Sequence, residues 1–388
     1  MNCTTKICCV TGSRAEFGLL KRLLMLIDRS QCLTLQLLVT GTHLSTEHGD
    51  TIEEIDSEIF RIDRKIDINL ICDTSIGVSK STASCLVGCA EAFNDLRPDI
   101  VLILGDRFEI LAAATAAMLA RIPIAHIHGG EITEGAIDDA IRHSITKMAH
   151  IHFVATEEYR ARVIQMGEQP NAVWNVGSLG VDAIKNIKLL TKSELSNEIG
   201  VQFERHSLLI AFHPVTLDPT YSKNQIKEIL LALDTLTETT LIFTLPNADP
   251  ENSVVRSLIE TFVDEHQNAH QFISLGQRRF LSCAYHVDCV LGNSSSGVIE
   301  IPSLKKPTIN IGNRQKGRLM SPSVIDVVGE KNEIIRAINR AQSPEFLEIV
   351  ENSENSYGVA GAADQIMRVL RSLDTKSLLK KQFHDANF

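Results

Sequence analysis

No apolar run in the sequence reaches the roughly 20 residues that a bilayer-crossing helix needs, so no membrane partner is expected. The chain does not open on a basic region, an apolar stretch and a small-residue cleavage site, and a cytoplasmic location is expected. Nine cysteines are present without a single CxxC pair, which speaks against zinc-ribbon and thioredoxin-like motifs. Cys8 and Cys9 lie in an apolar run and Cys85 and Cys89 one helical turn apart, as buried free thiols would. Neither GxGxxG nor GxxxxGK[ST] occurs, against a classical NAD enzyme and a P-loop NTPase. A Lys/Arg surplus is also missing: 38 basic against 48 acidic side chains leave a net charge of −10, so no nucleic-acid partner is expected. Any phosphate must be held locally, by a few arginines and backbone amides. Nor is there the compositional bias of a disordered or low-complexity chain, with 44% of residues hydrophobic and 22% charged.

What is present is alternation. At 388 residues the chain exceeds the size at which one core stops growing, so two domains are expected. Short apolar runs (6–11, 33–40, 100–104, 122–127 and 151–155) each give way to polar or Gly residues and then to an amphipathic stretch. Such nearly continuous hydrophobic runs fit buried parallel strands with helices between them. A second series starts near Leu208 with SLLIAFHPVT, TTLIFTLPNAD, HQFISLG, VDCVLGNSSSG and PTINIGN. The fold class expected is α/β, with two Rossmann-like domains, 1–180 and 181–361, and a C-terminal helix within about 362–388 packing back on the first. Seven polar clusters follow expected strands, from both series. Ligands of open α/β sheets bind at the carboxyl ends of strands, so the two edges are expected to face one cleft that holds the site.

Each cluster has a chemical and a plainer reading. In GNSSSGVIE, Ser294, Ser295 and Ser296 with Gly297 suit a diphosphate at a helix N-terminus, or simply a Ser-rich cap. Glu300, one helical turn further in, suits paired ribose hydroxyls or the helix dipole. IGNRQKGR gathers Arg314, Lys316 and Arg318, for a phosphate or for water. Arg14, in TGSRAEFG, could reach an anion, and His213, in FHPVT, a phosphate or a proton in transit. The acid-base content is densest in GDRFE and HIHGGEITEGAIDDAIRH. There Asp106, Glu131, Glu134, Asp138 and Asp139 stand beside Arg107, His126, His128, Arg142 and His143. Grouped carboxylates raise one another's pKa values, which suits proton transfer near neutrality. Asp138 and Asp139 equally suit a helix N-terminus. His126 and His128, at alternate positions of a strand, would share a face, but no metal is expected from so incomplete a ligand set.

Taken in order, TGSRAEFG, LGDRFEI, HIHGGE, IRHSITKMAH, TEEYRARVIQMGE, GSLG, FHPVT, GNSSSGVIE and INIGNRQKGR resemble the hydrolysing UDP-N-acetylglucosamine 2-epimerases, bacterial branch, nearly end to end. The resemblance implies a glycosyltransferase-B type fold with UDP held mainly by the C-terminal domain, no cofactor, and a homodimer or homotetramer. It implies anti elimination of UDP to a 2-acetamidoglucal, followed by hydration to free N-acetylmannosamine. Carried over by motif, Asp106, Glu131 and Asp138 would move protons, Glu300 would hold the ribose, and Arg14, His213, Ser294, Ser295 and Arg314 would meet the diphosphate. Arg107, Gly297 and Arg318 complete the substrate-facing set. The sequence departs from some relatives at His128, where they carry Glu, so either His128 or Glu131 takes that role. UDP-N,N′-diacetylbacillosamine is the alternative substrate. A glycosyltransferase and a non-hydrolysing 2-epimerase are the rival activities.

Overall fold

The computed structural model describes residues 4–45, 52, 55, 60–70, 74–134, 136–214, 219–245, 252–375 and 377–385. The chain forms two compact units. Met1–Glu131, Asp138–Ala183 and Val359–Phe388 make the first, Ile132–Ile137 and Ile184–Gly358 the second.

The first runs β1 (Thr5–Thr11), α1 (Arg14–Asp28), β2 (Leu33–Thr40), β3 (Arg64–Ile66), α2 (Ser75–Leu96), β4 (Ile100–Leu104), α3 (Phe108–Leu119), β5 (Ile124–Ile127), α4 (Ile137–Met148), β6 (Ile151–Val154), α5 (Glu157–Gln165), β7 (Val173–Asn175) and α6 (Leu179–Asn186). Its seven strands are parallel, in the order β3-β2-β1-β4-β5-β6-β7. Period 2 explains why β1 reads as unbroken apolar sequence. Ile7 and Cys9 point into one core with Leu37 and Leu102, while Cys8 and Val10 point into the other with Leu38 and Val101. The first core is closed by the stripe Phe17, Leu20, Leu24 and Ile27 of α1, the second by α2 and the alanines of α3. Each fully buried Leu or Ile contributes about 1.5–3 kcal/mol.

A C-terminal helix, Ala362–Ser372, buries Ala363, Ile366, Met367 and Leu370 in the α1 core. Its start is fixed by the Asp182 carboxylate, which accepts from the N–H groups of Gly361 (2.8 Å) and Ala363 (3.1 Å). These N–H groups belong to the turn that has no intrahelical acceptor, so the carboxylate both satisfies them and complements the dipole.

The second unit runs α7 (Lys192–Ile199), β8 (His206–Ala211), α8 (Pro219–Leu233), β9 (Thr239–Thr244), α9 (Asn252–Glu265), β10 (Ala269–Phe272), α10 (Gly276–His286), β11 (Cys289–Gly292), α11 (Ser295–Ile299), β12 (Thr308–Ile311), β13 (Val324–Val327), α12 (Lys331–Ala341) and α13 (Pro344–Asn352). Its six parallel strands are ordered β10-β9-β8-β11-β12-β13. Leu208 and Ile210 of β8 face one core, Leu209 the other. Both sheets therefore change winding direction beside their first strand, between β1 and β4 and between β8 and β11. Each unit is Rossmann-like, and each has a switch point, where open α/β sheets bind ligands.

Two expectations need correction here. Cys32 is exposed, unlike Cys8, Cys9, Cys85, Cys89, Cys283 and Cys289, because it precedes β2 in a surface turn. His126 lies within β5, but His128 follows the strand's last residue, Ile127, with φ +65°, so the two do not share a strand face. No described helix is long and apolar enough to cross a membrane.

Candidate functional site

In the first unit the loops after β1, β4 and β5 and the start of α4 carry the candidate acid-base groups. The hub is Arg142, in the second turn of α4 and only 2% exposed. Its guanidinium ion-pairs with Asp106, donates to the Glu131 carbonyl (2.8 Å) and lies 3.7 Å from Asp139. A guanidinium stays charged when buried and offers a fixed fork of donors, so three chain segments are registered on one cation. Glu131 is 3% exposed and stands 2.9 Å from His128 Nδ1. His128 Nε2 is buried without a hydrogen-bond partner among the described residues. The left-handed backbone at His128 costs an ordinary residue about 1 kcal/mol or more, and it turns this ring back toward Glu131.

His126, fully buried, has its Nε2 2.8 Å from the Gly105 carbonyl. A carbonyl only accepts, so Nε2 carries the proton. Burial pushes the ring's pKa down to about 3, which keeps it neutral. His126 is a strut under the Gly105–Asp106 turn. His143 stands 3.6 Å from Asp139, and burial lowers its pKa. Asp138 occupies the first turn of α4.

Arg14 is the first residue of α1, and Arg107 caps α3 and holds Glu109 Oε1 at 2.7 Å. The sequence reading passed over Glu16, Glu109 and His43. Glu16 and Glu109 are buried, and His43 touches the Thr11 hydroxyl at 3.1 Å while burial lowers its pKa to about 4. A signal was there: Arg14-Ala-Glu16 and Arg107-Phe-Glu109 repeat the same Arg-x-Glu spacing at the starts of α1 and α3.

The second unit's edge is different. Asn293, 1% exposed, exchanges two hydrogen bonds with the His213 backbone, both 2.7 Å. Its carbonyl accepts from Arg314 (3.0 Å) and from Gln315 (2.7 Å). The loops after β8, β11 and β12 are thus tied through one asparagine, which the sequence reading left unremarked inside GNSSSG. Gly292 lets β11 approach β8 there: at φ +141° a Cβ would stand 2.1 Å from the Ala211 carbonyl. Ser294 caps α11 without a side-chain hydrogen bond to it, and Ser295 and Ser296 are half-buried. Gly297 packs under Thr308, whose hydroxyl donates to the Gly297 carbonyl at 2.8 Å.

The structure departs from the sequence reading in two places. The helix after GNSSSG is only five residues long, and Glu300 caps its C-terminal end instead of lying within it, because Pro302 restarts the chain as a 3-10 turn. Glu134 does not join the Arg142 group: it pairs with Lys316 at 3.1 Å, within the second unit. In that unit Arg318 also binds the Ile132 carbonyl (3.1 Å) and the Thr133 hydroxyl (3.2 Å). Residues 215–216 and 246–249, the ends of FHPVT and LPNAD, lie outside the described residues, as does Gly135.

The profile of a family described as UDP-N-acetylglucosamine 2-epimerase matches residues 26–371. A hydrolysing GDP/UDP-N,N′-diacetylbacillosamine 2-epimerase of Campylobacter jejuni is 40% identical over 382 residues, 98% of this chain and 99% of its own. A hydrolysing UDP-N,N′-diacetylbacillosamine 2-epimerase of Legionella pneumophila is 34% identical over 372 residues, 96% of this chain and 97% of its own. Among solved structures, a UDP-N-acetylglucosamine 2-epimerase from Neisseria meningitidis bound to UDP-N-acetylglucosamine superposes with a TM-score of 0.79 at 22% identity. It covers 94% of this chain and 99% of its own, a likeness of fold.

Proposed function

The chain belongs to the UDP-N-acetylglucosamine 2-epimerase family, and from that premise we propose that it is a hydrolysing 2-epimerase of UDP-N,N′-diacetylbacillosamine. The choice of sugar leans on the Campylobacter and Legionella relatives, whose names carry it over nearly the whole of both chains. UDP-N-acetylglucosamine is the second reading, favoured by the family's description. A cytoplasmic homodimer or homotetramer belongs to the same proposal.

The reaction asks for two kinds of site. In the first step a base removes the C2 proton, the electron pair forms the C1=C2 bond, and the C1–O bond breaks with its electrons leaving on UDP. In the second, water adds a hydroxyl at C1 and a proton at C2 on the opposite face. The sum is UDP-sugar plus water to UDP plus the free C2-epimeric sugar. No carbonyl adjoins C2 to acidify it, so stabilising the departing diphosphate carries much of the barrier.

The observation that carries the reading is the Arg142 hub, which sets Asp106 and the His128–Glu131 pair around one edge of the first sheet. In the proposal His128 Nε2 handles one proton with Glu131 orienting its ring through Nδ1, and Asp106 and Asp138 serve the other proton and the water. Positioned acid-base groups of this kind contribute about 10²- to 10⁴-fold. The second unit supplies the leaving-group side: His213, Ser294, Ser295, the Gly297 turn and Arg314 for the diphosphate, Glu300 for the ribose, and Arg318 as a further cationic contact; Arg14 and Arg107 are cationic contacts proposed from the first unit.

Incubation of the protein with each nucleotide sugar in deuterated water, followed by proton NMR, tests this. Release of UDP together with a free sugar inverted and deuterated at C2 is expected, faster from the diacetylated substrate. Faster turnover of UDP-N-acetylglucosamine would select the second reading. A product still bound to UDP would refute hydrolysis.

A further inference from the structure

Two buried carboxylates lie beside the proposed proton-handling groups without a place in the reaction above. Glu16, on α1, is 6% exposed and Glu109, on α3, is fully buried. Both close on Gly12, in the loop after β1. The Gly12 N–H donates to Glu16 Oε2 at 2.8 Å, and a Cβ on Gly12 would stand 2.5 Å from both Cγ and Oε1 of Glu109. The other side of the loop is equally full, since a Cβ on Gly41 would stand 2.4 Å from the Gly12 carbonyl.

Two carboxylates and one guanidinium face each other there. Arg107 donates to Glu109 Oε1 at 2.7 Å, which leaves the charges unequal if both acids ionise. Glu16 Oε1 and Glu109 Oε2 are each buried with no hydrogen-bond partner among the described residues. A lone pair without a donor is costly in a buried site, and two carboxylates at one site cannot both ionise cheaply. One proton answers both problems, because it turns two orphan acceptors into a donor and an acceptor.

We infer that Glu16 and Glu109 hold a single proton between them near neutral pH and, as that acid–carboxylate pair, fix the Gly12 turn and the Arg107 guanidinium in place. They are positioning residues. The inference rests on the proposed function only in treating Arg107 as substrate-facing. The groups packed around the pair agree with it. Burial first, then the Glu109 charge, push Glu16 up to about 8, against Arg107 and the N–H groups of Gly12 and Ser13. On β1 the Cys9 thiol is pushed up by burial and by Glu16, so it supplies no charge. After β2, His43 stays neutral, lowered by burial and by Arg14. The two Arg-x-Glu repeats, at the starts of α1 and α3, thus make one unit of paired function.

A raised carboxyl stabilises the fold fully below the ordinary carboxylate range, and that stability is lost as pH rises through the folded value, about 8 for Glu16. Glu16→Gln keeps the shape and a donor without the titration. Melting of the full-length wild type and of Glu16→Gln across this range is the test. The variant should gain on the wild type as pH rises from about 5 to about 8, and the gap should level off above that. A gap that stays constant across the range would overturn the inference. Should Glu16→Gln not fold, infrared spectra of the wild type alone decide. A protonated carboxylic C=O band present at neutral pH and lost above about 8 supports the shared proton, and its absence at neutral pH overturns it. Neither measurement uses turnover, so a wrong substrate leaves both intact. With turnover in hand, Glu16→Gln should keep kcat within about threefold where Glu16→Ala loses tenfold or more; equal losses would remove the positioning role.

Discussion

The carboxyl edge of the first sheet is crowded with charge, and that of the second is built from amides, hydroxyls and backbone. Around Arg142 the first edge gathers Asp106, Glu131 and Asp139, with His128 and His143 against them. Around Asn293 the second gathers backbone and neutral donors, with Arg314 as the cation drawn in. Buried charges must be paired, so the first edge is rigid in its electrostatics and sensitive to any change of one partner. Neutral hydrogen bonds cost less to rearrange, so the second edge can give way by degrees. The same winding, used twice, hosts two chemistries because the loops differ, not the sheets.

Changing Asp106 should break that contrast most sharply. Asp106→Asn leaves Arg142 with a neutral partner and removes a carboxylate from the proton-handling edge. A fall in kcat of about 10³-fold is expected in a UDP-release assay. Asn293→Ala should act next most strongly, on binding: it frees the His213 backbone and loosens the turn that holds Arg314 and Gln315. UDP should bind about 10- to 100-fold more weakly, read as a rise in KM larger than the fall in kcat.

The smallest effect expected is at the far end of α4. There Lys381 donates to the Lys147 and Ala149 carbonyls (2.8 and 2.7 Å) and pairs with Glu168 at 2.7 Å, so a late stretch of chain tethers the helix that bears Arg142. Burial works against the Glu168 charge, but hydrogen bonds from His152, Lys147 and Lys381 outweigh it and hold its pKa at about 2. Such a depressed carboxyl stabilises the fold above the ordinary carboxylate range and ceases to as pH falls through the folded value. Lys381→Ala should cost about 1–2 kcal/mol at neutral pH, and its melting deficit should shrink under acid as Glu168 takes up its proton. A deficit that grows in acid would show that the ion pair is not its source.

Much of this was legible from pattern. The runs 33–40 and 100–104 are strands at those bounds, because strands buried on both faces need unbroken apolar sequence. The polar clusters follow strands because a parallel sheet sends every carboxyl end to one edge. The strands β3, β7 and β13 escaped notice. They are three or four residues long, Arg64 and Lys65 are exposed in an edge strand, and only Ile66 of β3 is buried, so no apolar run announces them. In the candidate site, the sequence singled out charged and hydroxyl side chains. It passed over Asn293, whose weight comes from four hydrogen bonds to groups distant in the chain, which no local spacing records. Glu134 misled for the converse reason: adjacency to Glu131 in sequence says nothing of Lys316, its actual partner.

The division between a proton-handling edge and a nucleotide-holding edge is tested most directly by calorimetric titration of UDP into the wild type, Asp106→Asn and Asn293→Ala. The account predicts that Asp106→Asn binds UDP within about threefold of the wild type while Asn293→Ala binds it at least about tenfold more weakly. Loss of UDP affinity in Asp106→Asn with full affinity in Asn293→Ala would contradict it.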